Sequence, residues 1–405
     1  MLRVNSDRLR KSLEEMGQIG YGGPGKGVSR LALSDEDKRA RDLFVSWLKE
    51  AGLEVIVDPI GDIFGLREGS IDAPPVMAGS HLDTVREGGA FDGALGVLGA
   101  LEAIRTLNDY GIRTRKPVAV ACFTDEEGAR FQPCMLGSGV VAGLMTLQEA
   151  YAKKDDAGIS VEAELERIGY KGNKWLKPVA YFELHVEQGP VLDAKGISIG
   201  VVEGIQGIAW WQGKYQGEAN HTGTTPLDMR RDALLGAAEL VCSVRRLAEE
   251  MGHDTRTTVG RLHPYPDIIN VVPGQASFTI DLRQYDEALY EDGKKRAEAL
   301  VAQAASNHRL EYELEMVGDA KPVHFDPAMV NLVEEMAREA AFSYMRLPSG
   351  AGHDAQYMHS ICPTAMIFVP SIGGRSHCPQ ELTDFDDAAK GATVLANAML
   401  RLAGS

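Results

Sequence analysis

The chain has 405 residues, 44% hydrophobic and 25% charged, with a formal net charge of -16 at pH 7. That length exceeds what one hydrophobic core supports, so two domains of unequal size are expected, and the balance is that of a globular chain, not a disordered or fibrous one. The acidic charge without any basic tract speaks against a nucleic-acid partner, and no segment is long and apolar enough to predict a membrane span.

The N-terminus, MLRVNSDRLRKSLEEMG, alternates charges with Leu and Met and has no apolar core like that of a secretory signal. Five cysteines (Cys122, Cys134, Cys242, Cys362, Cys378) are scattered without a CxxC spacing. They predict reduced thiols and a cytoplasmic location, and they exclude a four-cysteine zinc site. The glycine-rich stretch 17–27 fits neither the P-loop nor the dinucleotide spacing and reads as a flexible loop. Ser34 then precedes Asp35, Glu36 and Asp37, with Phe44, Trp47, Leu48 and Ala51 at helical spacing. A capped amphipathic helix follows from that pattern.

Short apolar runs at 76–78, 118–123, 179–184 and 365–369 read as buried strands. Helical patterns at 95–107 and 388–402 lie between and after them, so the first and last thirds form one α/β layer domain. Gly93, Gly96 and Gly99 lack the GxGxxG spacing and are expected to permit close helix packing. The middle third differs. A strand at 207–217, a helix at 229–251, strands at 257–262 and 276–283, a helix at 286–308 and a strand at 310–316 follow the split βαβ order. The domains are therefore placed at 1–207 with 319–405, and at 208–318.

Chemistry concentrates where the predicted strands end. In GSHLDTVREGGAFDGALG, His81 and Asp83 are two apart on an extended strand end and share a face, as a ligand and its orienting carboxylate would. A polar surface turn would give the same pattern. The run 118–123 ends in Thr124, Asp125, Glu126, Glu127 and Gly128, which crowds three carboxylates at a sheet edge. Such crowding costs energy unless a cation compensates it or solvent screens it. His185 in YFELHVEQG and His377 in FVPSIGGRSHCP also end or follow apolar strands. Four strand ends each delivering His or carboxylate are hard to explain by chance, and His81, Asp92, Glu127, His185 and His377 suffice for a pair of divalent ions if one carboxylate bridges.

The motifs GSHLDTV, FDGALG, TDEEGARF, ELHVEQGPVL, ANHTGTTP, MRRDA, INVVPG and SGAGHDA resemble, in order and spacing, those of the hydantoinase/carbamoylase branch of the metal-dependent aminoacylase and carboxypeptidase superfamily. The resemblance runs from about Gly27 to the C-terminus. It implies an exopeptidase-like α/β catalytic domain with an inserted α+β ferredoxin-like lid and dimerisation domain, and two divalent ions per chain: Zn or Mn, with Co or Ni also possible. By motif, His81, Asp92 and His185 would hold one ion, and Asp92, Glu127 and His377 the other, with Asp92 bridging. Glu126 would be the general base and Asp83 would orient His81. His221 would stabilise the tetrahedral intermediate, in its own or in the partner subunit's site. Gln188, Asn270, Arg283 and the backbone at Gly352 would bind substrate.

The residues allow several of these roles. A guanidinium at Arg283 can take a carboxylate bidentately, although a surface salt bridge would use the same residue, and the Gln188 amide matches a urea group in donors and acceptor. Cys378 stands where relatives usually carry Asn or Ser, and Trp210 and Trp211, with Ile208, replace a more polar segment. The expected activity is cleavage of the ureido C–N bond of an N-carbamoyl amino acid, an L-α- or β-ureido acid, to the amino acid, CO2 and ammonia, by a homodimer. Allantoate or ureidoglycolate is the alternative substrate. Acyl-amino acid or dipeptide hydrolysis ranks third, and a metal-free binding protein would not require both a bridging carboxylate and Glu126.

Overall fold

The computed structural model describes residues 1–404. The chain divides into Met1–Glu203 with Phe325–Ser405, and Gly204–His324. These boundaries lie a few residues outside 208 and 318, because Val323 and His324 still pair with Ile205 and Gly204. No helix among the described residues is long and apolar enough to cross a membrane.

In the first unit the strands lie in the order Glu54–Val57, Ile63–Arg67, Val118–Phe123, Val76–His81, Ala180–Val186, Thr364–Val369 and Ile199–Ile205. The four from Val118–Phe123 to Thr364–Val369 run parallel to one another. Every residue in them is buried, as expected where helices cover both faces of a parallel sheet. Ala94–Asp109 packs close enough that a Cβ at Gly96 would lie 2.5 Å from the Leu184 carbonyl oxygen, and one at Gly99 2.6 Å from Leu184 Cδ2. Small residues there set the helix-to-sheet distance. Ser34 caps Asp35–Glu50 by accepting from the Asp37 N–H at 3.2 Å. Because the parallel strands share a direction, their carboxyl ends all open at one edge, where ligands bind in open α/β sheets.

The second unit is an antiparallel sheet in the order Leu262–Tyr265, Gln275–Gln284, Gly207–Gln216 and Glu311–Ala320, with Arg256–Thr258 beside Gln275–Gln284. Burial alternates strictly along Gln275–Gln284, the mark of a sheet with one packed face. Trp211, Tyr215, Phe278, Ile280 and Leu282 meet Leu240, Val244, Leu247 and Val301 of the helices Ala233–Met251 and Glu287–Asn307. Two details depart from the sequence reading. The strand expected at 257–262 is two short pieces, since Thr258 faces Asp281 and Leu262 faces Phe278, one residue out of continuous register around Gly260. The helix expected from 229 begins at Ala233, because Asp232 caps it by accepting from the N–H groups of Leu234 and Leu235.

Candidate metal centre

His81 ends its strand with Nδ1 2.9 Å from the Asp83 carbonyl oxygen. That contact turns Nε2 toward Asp92 Oδ1 and Glu126 Oε2, each at 3.5 Å. The Asp83 carboxylate stands 3.7 Å from Nδ1 and instead receives the N–H groups of Glu126 and Glu127, both at 3.3 Å. Asp83 thus sets the His81 ring through its backbone, while its side chain holds the acidic turn after Phe123. Asp125 in that turn adopts φ 57°, a left-handed conformation that re-aims the two glutamates. From below, Asp62 accepts the Thr124 N–H at 2.8 Å, and Arg41 reaches Thr124 Oγ1 at 3.1 Å.

Asp92 lies between the histidines. Its Oδ1 is 3.1 Å from His185 Nε2, and its Oδ2 is 3.3 Å from His377 Nε2. His185 is oriented as His81 is, with Nδ1 2.9 Å from a backbone carbonyl, that of Val186. Glu127 Oε2 lies 3.4 Å from His377 Nε2. Gly93, at φ 64°, follows Asp92 because a Cβ there would come within 2.4 Å of the His81 ring. Gln188, also left-handed at φ 58°, donates to Asp92 Oδ2 at 2.8 Å, and its backbone N–H donates to Ser371 Oγ.

The electrostatics follow from this crowding. Burial pushes Glu126 well above the usual carboxylate range and Glu127 up to about 7, with neighbouring carboxylates adding to both. Burial alone would also raise Asp92, but His185, His377 and His81 outweigh it and hold Asp92 well below its ordinary value. The hydrogen bond that His377 donates to Asp92, with Glu127 nearby, raises His377 to about 9.

Two sets of side chains present atoms close enough to share an ion: His81, Asp92 and His185, and Asp92, Glu127 and His377. Asp92 belongs to both. Glu127 Oε1 is buried without a hydrogen-bond partner among the described residues, and imidazole nitrogens with carboxylate oxygens are the donor set of first-row divalent ions. The site therefore fits such ions. A third set, Glu183, His185 and His353, is also compact. However, Glu183 already accepts from Ser80 Oγ and the Ala355 N–H, and His353 Nε2 is 2.9 Å from Ser349 Oγ. Burial keeps His353 well below the normal imidazole range, so neutral, and its ring edge supports His185 at 4.5 Å between centroids.

The remaining expected residues are spread over both units. Gly352 lies just before His353, which precedes the short helix Asp354–Met358. His221 and Asn270 sit on a small ribbon, with His221 facing Val271 and Thr222 N–H donating to the Asn270 carbonyl. His221 is exposed and its Nδ1 accepts the Gly223 N–H at 3.0 Å. Arg283 forks onto Asp281, closing to 3.0 Å. Trp211 is a core residue of its unit, with Nε1 donating to Glu298, whereas Trp210 is largely exposed. The sequence reading missed His353, Glu183, Ser376 and Glu381. Of these, Ser376 and Glu381 had a signal available, since they flank His377 in RSHCPQE.

Residues 77–401 match the Peptidase family M20/M25/M40. The chain is 46% identical to an N-carbamoyl-L-amino-acid amidohydrolase of Rhizobium meliloti, over 99% of this chain and 97% of that one. It is 38% identical to the N-carbamoyl-L-amino acid amidohydrolase of Geobacillus stearothermophilus, over 99% of each. Its fold superposes on the crystal structure of a hydantoinase/carbamoylase family amidase from Burkholderia multivorans with TM-score 0.97 and 44% identity, over 99% of this chain and 98% of that one. With strand-end histidines and carboxylates gathered around Asp92 and this likeness along its full length, the chain belongs to the Peptidase family M20/M25/M40, in its hydantoinase/carbamoylase branch.

Proposed function

We propose that this chain is a metal-dependent amidohydrolase that cleaves the ureido C–N bond of N-carbamoyl amino acids, releasing the amino acid, CO2 and ammonia. The observation that carries the chemistry is Asp92, whose two oxygens face different histidines while Glu126 stands alongside. The substrate class rests on the full-length likeness to N-carbamoyl-L-amino acid amidohydrolases.

In this reading His81, Asp92 and His185 would hold one divalent ion, and Asp92, Glu127 and His377 would hold the other, Zn or Mn with Co or Ni as substitutes. Such ions supply Lewis acidity toward the ureido carbonyl and make water easier to deprotonate. Glu126 belongs to neither set. Its Oε2 is the base that takes the proton from the attacking water and returns it to the leaving nitrogen. Asp83 keeps Glu126 and Glu127 apart in role by fixing both backbone N–H groups.

Gln188 and the Gly352 backbone hold the ureido end, and Arg283 and Asn270 take the carboxylate. Arg283 forks onto Asp281 in this structure, and a guanidinium with five N–H donors can turn part of that fork to a substrate carboxylate. His221 stabilises the tetrahedral oxyanion from a partner subunit, with the inserted unit as lid and dimerisation domain of a homodimer. Leu227, Met229, Ile268 and Ile269 support this: they are all exposed in the sequence around His221 and Asn270, Leu227 at 80%. Clustered exposed apolar residues mark interaction surfaces. The five unpaired cysteines support placing the enzyme in the cytoplasm.

Ammonia release measured with N-carbamoyl-L-amino acids, N-carbamoyl-β-alanine, allantoate, ureidoglycolate and a dipeptide tests the assignment. An N-carbamoyl amino acid is expected to give the highest kcat/KM. A dipeptide preferred over every ureido acid overturns it, and allantoate or ureidoglycolate ranked first replaces the substrate with that alternative.

A further inference from the structure

Glu381 reaches from the segment after His377 to the loop before Asp92. Its Oε1 accepts the N–H groups of both Phe91 and Asp92 at 3.0 Å, and its Oε2 accepts from Ser376 Oγ at 2.8 Å. Ser376 Oγ is also 3.1 Å from Asp92 Oδ2. A serine has one hydroxyl proton, so the two carboxylates share a single donor. The carboxyl group of Glu381 is buried, its residue 6% exposed, and the loop leaves room for it: a Cβ at Gly89 would fall 2.0 Å from Oε1. The backbone N–H of Glu381 donates to the Cys378 carbonyl, closing a turn over the four residues Cys378 to Glu381. One short segment, Ser376 to Glu381, therefore touches Asp92 three times: through His377 at Oδ2, through Ser376 at the same oxygen, and through Glu381 at the backbone.

We propose that Glu381 and Ser376 are positioning residues for the shared ligand. Glu381 fixes the Asp92 backbone and Ser376 joins Gln188 in fixing Oδ2, so the carboxylate aims one oxygen at His81 and His185 and the other at His377. A carboxylate free to rotate could offer both oxygens to one ion, so this clamp selects bridging over chelation. A buried carboxylate this close to Asp92 also deepens the negative charge that a pair of divalent ions offsets. Outer partners of this kind typically change metal affinity by roughly tenfold to a hundredfold when removed. The inference rests on reading Asp92 as the ligand common to two ions.

The test uses full-length protein loaded with Co2+ and competed with a chelator, counting ions per chain and recording the visible spectrum. Parent enzyme is expected to hold two ions. Ser376→Ala and Glu381→Ala should each weaken one of the two by roughly tenfold or more and alter the cobalt bands. Glu381→Gln should retain most of the parental affinity, because an amide oxygen still accepts the two N–H groups. Ser376→Ala removes only a hydroxyl, so it reports even if Glu381→Ala fails to fold. Parental affinity and an unchanged spectrum in Ser376→Ala, with two ions in the parent, overturn the positioning role and leave the proposed function standing. A parent that holds fewer than two ions overturns both.

Discussion

The two units solve different problems with similar materials. In the first, parallel strands buried on both faces bring His81, the Glu126–Glu127 turn, His185 and His377 to one edge, and backbone carbonyls orient the His81 and His185 rings. In the second, an antiparallel sheet packs one face on two helices and leaves His221, Asn270 and much of the neighbouring ribbon exposed. The contrast is between a rigid pre-set cluster and an accessible surface. Fixed geometry suits ions that demand defined ligand positions, and exposed donors suit a substrate or partner that arrives from solution.

The strongest way to break this division is to remove metal. Chelation should abolish ammonia release, and adding Zn2+ or Mn2+ should restore it; full turnover by protein shown metal-free by elemental analysis would remove the chemistry from the first unit. Next in size, Glu126→Gln should lower kcat by about 10² to 10⁴ while both ions stay bound. Glu127→Gln should lose an ion instead, and the reverse pair of phenotypes would exchange the roles of these neighbours.

The second unit should respond differently. Trp211→Ala removes a buried ring from its core and should cost about 3 to 5 kcal/mol of stability, read by denaturant unfolding. The ion count in the first unit should not change while the chain stays folded, and a lost ion would show that the two are not separable. Arg283→Ala should cost about 2 to 5 kcal/mol in kcat/KM for carboxylate-bearing substrates and far less for an uncharged carbamoyl compound. Equal losses on both would give Arg283 a structural role instead. The smallest effect is expected at Ser34→Ala, which removes one N-cap acceptor: about 1 kcal/mol of stability with kcat unchanged.

Much of this was legible from residue order. Burial of 118–123 and the cap at Ser34 follow from local pattern, because apolar runs and capping chemistry act over a few residues. The ends of the second unit's elements were less legible, and Asp232 shows why: a single side chain accepting two N–H groups outranks the apolar periodicity before it. The histidines and carboxylates could be read as candidates, since their types and strand-end positions are local facts. Their arrangement was decided by tertiary structure. That Asp92 offers Oδ1 to His185 and Oδ2 to His377 depends on which strands are neighbours and on their common direction. The carbonyl that turns His81 belongs to the Asp83 backbone, a contact that no pattern of side-chain types encodes. Glu381 joins Asp92 across 289 positions of sequence, where a hydrogen bond leaves no periodic trace. Residue order determined the elements and the available ligand chemistry because both arise from short-range physics, while the strand order and long-range hydrogen bonds of the fold decided which oxygen faces which histidine.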